Sequence, residues 1–398
     1  MIRQLLLAGL PLVTTAPLFA QTPAGFSKAW EPVAQEFHSA LGREGVVGGA
    51  LWFIKGDSVL AREFHGMADQ ATGRKIDANT IFHWASITKT FTAIGIMQLR
   101  DRGKLSLDDP IVKYVPELMA VHNPYGPMET ITIRQLLSHS AGFRNPTWPW
   151  GGDQPWHPFE PTEWSQLVAM MPYTEILFPP GTKYSYSNPG LIFLGRVIER
   201  LTDDDYEVYI DKNILKPLGM YHSYYDITPY HLLADRSNNY EMHDGKLVTN
   251  GLDFDTGITT SNGGLNAPIS DMVKYFAFLL GKGPSANGPV PVLKRSSLEE
   301  LWHPVLPASD GEAMGDSVAL SFFVKHAGNT RLIGHTGSQR GFRAFFYLEN
   351  SSGTAVIAAT NTAAANERPG VHPDIAAIRA GVLAGLERSV WPLFEKRP

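Results

Sequence analysis

The sequence predicts an α/β (α+β) fold in which N- and C-terminal strands form one antiparallel sheet, flanked by terminal helices, with an all-helical domain inserted between. β-rich runs lie near both ends of the chain, at 46–66 and 319–360, and helical periodicity dominates between them. The 398 residues are 43% apolar, which is ample for a large core, so a disordered chain is excluded.

The N-terminal part predicts a helix and two strands. Residues 26–44 have helical spacing, because four apolar side chains fall on one face: Trp30, Val33, Phe37 and Leu41. Residues 46–66 predict two strands joined by a turn at Lys55-Gly56-Asp57, where glycine tolerates positive φ.

The middle of the chain predicts mainly helices. The apolar stretch 86–102 predicts a long helix that ends at Gly103, and Ser270 is predicted to cap a helix over 271–280. Shorter helices are expected at 133–138, 190–201 and 206–214, and a Gly/Pro-rich linker at 281–292.

The C-terminal part predicts short strands and a closing helix. The strands are expected at 319–326, 330–333, 344–348 and 354–360, and the helix at 374–386. These elements predict a sheet domain made of 21–85 and 293–398, with 86–292 as the helical domain.

Residues 1–20 predict a signal peptide, and therefore a secreted or periplasmic protein. Arg3 supplies the positive start, residues 5–13 the apolar stretch, and the segment ending at Ala20 the cleavage site. The apolar stretch is too short for a membrane span, which needs about 20 residues. We expect no stable membrane anchor after cleavage.

Composition excludes several classes of function. The absence of cysteine excludes disulfides, a thiolate nucleophile and thiolate-bound metals. A net charge of −5 without basic runs argues against nucleic-acid binding. The 13 histidines show no zinc-binding spacing, so we expect no metal and no cofactor. The expected partner is a small-molecule or peptide substrate, and the sequence does not define the oligomeric state.

Ser86 and Lys89 frame a Ser-x-x-Lys motif. Positions i and i+3 share one face of a helix, so the amine can lie beside the hydroxyl. A serine hydroxyl is a weak nucleophile until a nearby base takes its proton. The motif alone is common, and it gains weight only from its context.

Two further segments supply that context. Tyr186 lies in a loop and can act as a base if cations lower its pKa, while Asn188 offers an amide for the lysine and a substrate carbonyl. His335, Thr336, Gly337 and Ser338 are expected at a strand edge, where glycine permits close approach of a substrate and the Ser338 N–H can join that of Ser86 as an oxyanion donor. Taken alone, His335 is simply an exposed strand histidine.

Together, these three motifs resemble the serine β-lactamase and penicillin-binding-protein superfamily, which shares the Ser-x-x-Lys element. The second motif is similar to that of class C β-lactamases, D-Ala-D-Ala carboxypeptidases and related esterases. The resemblance covers roughly 30–390, with supporting phrases at 80–82, 103–109, 136–142, 217–220 and 263–265.

The resemblance implies a role for each motif residue and a β-lactamase/transpeptidase-like fold. Ser86 would be the acylated nucleophile, and Lys89 and Tyr186 would share proton transfer, with the acylation base left open. Asn188 would position the substrate amide, and the N–H groups of Ser86 and Ser338 would form the oxyanion hole. The remaining strand residues would line the site where family members often bind a carboxylate: His335, Thr336 and Gly337.

His335 is a departure, because many β-lactamases have lysine there. Its charge is expected to vary near neutral pH, which disfavours efficient β-lactam hydrolysis. Arg340 is either the missing cation or a solvated charge. The phrase 138–142 is interpreted as a helix end and turn that packs near the site. An aromatic loop at 143–161 carries Trp148, Trp150 and Trp156, which either line the cleft or pack the loop onto the helical domain.

The sequence therefore predicts an exported serine hydrolase that cleaves a β-lactam, a D-amino-acid peptide or a carboxylic ester through an acyl-enzyme. The alternative is a penicillin-binding or sensor module that is acylated with little turnover.

Overall fold

The computed structural model describes residues 22–149, 161–249, 251–252, 256–283, 291–308, 314–327, 330–365 and 372–394. The predicted signal peptide lies outside them, as do Trp150 and Trp156. Within the described residues, no helix combines the length and the apolar character needed to cross a membrane.

Helices lie near both ends of the chain and dominate its middle. The α-helices of the described residues are α1 (Phe26–Arg43), α2 (Thr88–Asp101), α3 (Ile133–Leu137), α4 (Trp164–Met170), α5 (Asn188–Thr202), α6 (Tyr206–Ile210), α7 (Lys216–Leu218), α8 (Thr260–Gly263), α9 (Ile269–Leu279), α10 (Arg295–Glu300) and α11 (Ile375–Gly385). Short 3₁₀ helices lie at Ala85–Ile87, Ile111–Lys113, Pro116–Ala120, Met128–Thr130, Met171–Tyr173, Tyr230–Asp235, Gly257–Thr259 and Trp391–Leu393, and π-helices at Asp211–Leu215 and Leu386–Val390.

The strands concentrate near the two ends of the chain. They are β1 (Gly48–Lys55), β2 (Ser58–Asp69), β3 (Arg74–Lys75), β4 (Ile81–His83), β5 (Tyr224–Tyr225), β6 (Tyr240–His243), β7 (Lys246–Val248), β8 (Leu265–Pro268), β9 (Leu306–Pro307), β10 (Ser317–Val318), β11 (Phe323–Ala327), β12 (Thr330–Gln339), β13 (Phe342–Glu349), β14 (Thr354–Thr360) and β15 (Thr362–Ala364).

A large antiparallel sheet joins the two ends of the chain. Among the described residues it holds nine strands in the order β3-β2-β1-β14-β13-β12-β11-β10-β9. β1 pairs with β14 from Gly49↔Thr360 to Lys55↔Thr354, so the N-terminal hairpin is continuous with the C-terminal strands. The predicted sheet of N- and C-terminal strands is therefore confirmed.

The expectation of an all-helical inserted domain is wrong, because β5, β6, β7 and β8 lie within 86–292. These short strands form two small sheets, in which β8 pairs with β4 and β6 pairs with β15.

The sheet has a core on each face, because side chains alternate along each strand. On β1, Leu51 and Phe53 face the layer formed by α1 and α11. Trp52 and Ile54 point to the opposite face, where the larger core includes residues of α2, α5 and α9. The large sheet is thus a middle layer between the terminal helices and the helical region.

Three local expectations are wrong in detail. The helix expected from Ser86 is a 3₁₀ turn over Ala85–Ile87 followed by α2, because Ala85 has a positive φ of 46° and interrupts regular α-helix geometry. The helix expected at 206–214 is α6 followed by a π-helix. Ser270 does not cap α9, since that helix begins at Ile269 after Pro268.

β12 is longer than expected and carries the third motif within it. It extends to Gln339 and then turns into β13 through Arg340 and Gly341, whose φ values of 48° and 78° suit a two-residue hairpin turn. β11 pairs with β12 only as far as Phe323↔Gly334, so 335–339 form ladder pairs with β13 alone. The edge of β12 on the opposite side is therefore left unpaired over the motif.

We expect Phe346→Ala to lower the free energy of unfolding by about 3–5 kcal/mol, the usual cost of truncating a buried phenylalanine. Phe346 on β13 is fully buried, and its ring lies 4.8 Å from that of Phe276 on α9, so it joins the sheet to the helical layer. Urea denaturation measures the change. Val208→Ala, at a position 46% exposed, is the control and should stay within about 0.5 kcal/mol. Equal effects of the two substitutions would contradict this packing.

Candidate active site

Ser86 and Lys89 lie together at the start of the central helix. Ser86 is partly exposed in the 3₁₀ turn, and Lys89 is fully buried in the first turn of α2. The Lys89 Nζ donates a hydrogen bond of 3.0 Å to the Ser86 Oγ. The change from 3₁₀ to α geometry therefore preserves the expected contact between amine and hydroxyl.

A buried ammonium group needs compensating partners, since the cost of removing a charge from water is large. The Lys89 Nζ also donates to the Asn262 carbonyl at 2.8 Å. It lies 4.9 Å from the centroid of the Tyr186 ring, within the range of a cation–π interaction. These contacts hold Lys89 between the nucleophile candidate and the second motif.

Tyr186 lies between two histidine rings. The His139 ring stacks on it, with centroids 4.4 Å apart and planes 25° apart. The His335 ring is 6.4 Å away on β12. The structure therefore brings Tyr186 and the third motif to the neighbourhood of Lys89, as the convergence of the three motifs requires.

The unpaired edge of β12 packs against the 3₁₀ turn that carries Ser86. A Cβ atom on Gly337 would lie 2.2 Å from the Trp84 carbonyl oxygen and 3.4 Å from the Ala85 Cβ, so only glycine fits at this position. Thr336 is partly buried and Ser338 is exposed on the same strand. The sequence predicts that Gly337 permits close approach of a substrate. In the structure, the group that lies close to Gly337 is the protein's own Trp84 carbonyl.

His335 differs from the exposed strand histidine that its motif alone suggested. Its side chain is fully buried, and its Nδ1 lies 2.6 Å from the Thr336 carbonyl oxygen. Burial, reinforced by the Lys89 charge, lowers the pKa of His335 to about 3. The expectation that its charge varies near neutral pH is therefore wrong, and the ring is neutral there.

Asn188 begins α5 and contacts both the segment at Asn145 and helix α8. Its Nδ2 donates to the Asn145 Oδ1 at 3.2 Å, and its carbonyl accepts from the Asn262 Nδ2 at 3.3 Å. The preceding Ser187 caps the helix by accepting from the Gly190 N–H. The Ser-Asn-Pro-Gly sequence carried this cap signal, because serine is a preferred N-cap and proline is favoured just inside a helix.

Sequence reasoning missed three residues of this site. Asn262 supplies the carbonyl that accepts from Lys89, although the Gly-Gly-Leu phrase that follows it was noticed. Asn145 contacts Asn188, and no local pattern marked it. His139 belongs to the turn that was expected only to pack nearby, yet its ring contacts Tyr186 directly.

The structure also places Trp148 and Arg340, two further residues that the sequence suggested for the site. Trp148 packs, partly buried, against the main core, which matches the packing interpretation for this tryptophan. The carbonyl of Arg340 in the hairpin turn accepts from the Asn239 Nδ2. No group of three His, Asp or Glu side chains among the described residues is arranged to hold a metal ion.

Comparison with known proteins points to one family. A family model described as Beta-lactamase matches residues 33–380. The chain is 26% identical over 316 residues to Protein flp of Staphylococcus aureus (strain COL), which covers 79% of this chain and 60% of that protein. It is 28% identical over 267 residues to Beta-lactamase-like protein 2 of Dictyostelium discoideum, covering 65% and 45%. The chain thus spans about half of the length of these curated relatives.

Solved structures share the fold. A D-amino acid amidase from Ochrobactrum anthropi SV3 superimposes with a TM-score of 0.74 at 20% identity, over 91% of this chain and 99% of that one. A class C beta-lactamase gives 0.73 at 19% identity, over 94% and 98%. The octameric penicillin-binding protein homologue from Pyrococcus abyssi gives 0.72 at 24%, over 90% and 77%.

We expect the stability of the protein to fall as the pH falls below about 6.5, the pKa of an unfolded-state histidine. His335 has a folded-state pKa of about 3 and His83 of about 4, both because of burial, and the pKa of His139 is lowered in the same way. Between these values and 6.5 only the unfolded chain binds the proton. Each group then removes up to about 1.4 kcal/mol of stability per pH unit.

Urea denaturation at pH 7.5, 6.5 and 5.5 measures this effect. His335→Gln removes one such group, so the loss of unfolding free energy between pH 7.5 and 5.5 should be about 1 kcal/mol smaller than in the parent protein. His243→Gln at an exposed position is the control. Equal pH dependence of the parent and His335→Gln would show that His335 is not held neutral by the fold.

Proposed function

Because the chain belongs to the β-lactamase family, we propose that it is an exported serine hydrolase that cleaves an ester or amide bond through an acyl-enzyme on Ser86. The observation that carries the proposal is the 3.0 Å hydrogen bond from the buried Lys89 Nζ to the Ser86 Oγ. Export rests on the N-terminal segment, whose positive start and short apolar stretch are typical of a signal peptide.

In the proposed acylation step, the Lys89 and Tyr186 pair reacts with one basic site free, either as an ammonium beside a phenolate or as a neutral amine beside a phenol. The Ser86 Oγ attacks the carbonyl carbon of the substrate while its proton passes to that free site. The carbonyl π electrons move to the oxygen, which becomes an oxyanion. When this intermediate collapses, the bond to the leaving alcohol or amine breaks and the pair returns the proton to it. Water then attacks the acyl-enzyme by the same sequence and releases the acid.

The backbone around Ser86 is suited to stabilise the oxyanion. Ser86 lies at the start of the helical segment, where N–H groups are not used within the helix. Gly337 brings β12 against that turn, so we propose the N–H groups of Ser86 and Ser338 as the two donors. Loss of one such donor costs about 10²–10³ in rate in known enzymes.

The electrostatics favour substrates without a carboxylate, such as esters and amides, over β-lactams. Where many β-lactamases carry a lysine, this chain has a neutral, buried imidazole that supplies no positive charge for a substrate carboxylate. A D-amino acid amidase is among the proteins of the same fold. We therefore propose carboxylic esters and D-amino-acid amides as the preferred class, ahead of peptides that end in a free carboxylate.

We expect Ser86→Ala to abolish hydrolysis of a short-chain nitrophenyl ester by the mature protein, because the substitution removes the nucleophile. A chromogenic cephalosporin and a D-alanyl-D-alanine peptide are assayed beside the ester, which is expected to give the highest kcat/KM because it alone of the three carries no carboxylate. Lys89→Ala should lose activity to a similar degree, and combining the two should add little, since residues that act as a unit are not additive.

Ser165→Ala, at an exposed serine on α4, is the matched control and should keep full activity. Undiminished turnover by Ser86→Ala would end the proposal. Mass spectrometry tests the alternative that the protein is an acylated sensor. A persistent adduct on Ser86 without product release would indicate a sensor instead of a hydrolase.

We expect Gly337→Ala to reduce ester kcat/KM at least 10-fold, because the added methyl group would push β12 away from the Trp84 carbonyl and displace the Ser338 N–H. Gly42→Ala in α1 is the control, since its Cβ would meet no atom within 4 Å. Steady-state kinetics and thermal unfolding are measured together. An active Gly337→Ala enzyme with the parent's kcat/KM would disprove a need for this close contact.

A further inference from the structure

His139 contacts three consecutive residues of the loop that carries Tyr186. Its carbonyl oxygen accepts from the Ser185 N–H at 2.8 Å, and its Nδ1 accepts from the Ser187 N–H at 3.1 Å. Between these two hydrogen bonds its ring stacks on Tyr186. One residue therefore defines both the backbone and the ring orientation of the second motif.

We propose that His139 is the positioning residue of Tyr186, holding the phenol ring over the Lys89 ammonium through its Nδ1 acceptor and its stacked imidazole ring. The proposal rests on the proposed function, and it assigns His139 no direct contact with substrate. It differs from the interpretation of this turn as simple packing, because it makes proton transfer depend on the His139 side chain.

The backbone conformation of His139 restricts which residue types fit at this position. Its φ is +51°, in the left-handed region where asparagine, aspartate and histidine are the enriched residues besides glycine. The left-handed residue ends the turn after α3 and lets both its carbonyl and its side chain face segment 185–187. Histidine is compatible with this backbone conformation, and its contacts with 185–187 stabilise it.

The imidazole ring must be neutral to accept the Ser187 N–H. The side chain is 1% exposed, and burial, reinforced by the charge of Lys89, holds the pKa of His139 well below its usual value. With Nδ1 as the acceptor, the proton of the neutral ring lies on Nε2. Because the ring is neutral, it places no second cation beside Lys89.

A closed circuit of five ring contacts supports the relative position of the His139 and Tyr186 side chains. His139 meets Tyr184 edge-on at 6.2 Å, Tyr184 meets Phe323 at 5.8 Å, and Phe323 meets His335 at 5.3 Å. His335 then returns to Tyr186 at 6.4 Å. Because β11 and β12 supply two of the five rings, the sheet supports the position of the loop.

Two variants separate the two contacts of His139. His139→Asn keeps an acceptor near the place of Nδ1 and tolerates the left-handed backbone, but it removes the ring. His139→Phe keeps a stacking ring and removes the acceptor. Each is combined with Tyr186→Phe, and His243→Asn at an exposed position is the control. Single-turnover kinetics with the nitrophenyl ester give the acylation rate and the substrate dissociation constant separately.

Each His139 variant should slow acylation by about 10–100-fold while the substrate dissociation constant changes less than threefold, since misplacement of a catalytic group by about 1 Å costs up to about 10² in rate. In the Tyr186→Phe background the same substitutions should add less than about threefold, because their effect passes through the phenol. The control should match the parent protein.

Losses that multiply in the double variants would overturn the proposal, and so would parent-like acylation in both single variants. A loss confined to substrate affinity would overturn it too, because it would assign His139 to binding. Failure of the proposed function is recognised separately. If Ser86→Ala keeps its turnover, Ser86 is not the nucleophile, whatever the His139 variants show. If one His139 variant does not fold, the other tests the same coupling to Tyr186.

Discussion

The site depends on one buried charge. Lys89 is removed from water at the start of the central helix, and its ammonium group is compensated by the Ser86 hydroxyl, the Asn262 carbonyl and the face of Tyr186. Because a buried cation is costly without such partners, the segments that supply them must converge for the chain to fold. Burial, reinforced by the charge of Lys89, lowers the pKa of His139 and of His335, which leaves Lys89 as the local positive charge among these groups.

Much of the architecture follows from the sequence. The continuous apolar run of β1 and the helical face of Trp30 and Phe37 identify a buried strand and a terminal helix, and both are present. The motifs identified Ser86, Lys89, Tyr186 and the strand at 335–338, which the structure brings into one neighbourhood. Short-range patterns were sufficient here because each motif is a local feature of one helix, loop or strand.

The remaining features arise from tertiary contacts, which a single sequence does not display. The 3₁₀ turn at Ala85–Ile87 packs against Gly337, which lies on a strand far away in the chain. Asn262 acts through its backbone carbonyl, so its side-chain type carries no signal for that role. The burial of His335 depends on Phe323 and Tyr186, which lie on other elements, and its pKa was consequently misjudged.

The pairing of β1 with β14 also affects the order in which the molecule can be completed. Gly49 needs Thr360 as its ladder partner, so the first hairpin leaves the ribosome long before its neighbour is synthesised. During that interval the apolar face of β1 and its free edge are open to unintended partners, a recognised cause of aggregation in proteins with distant strand pairing. Synthesis of β14 therefore ends the period in which this edge of the N-terminal hairpin is open.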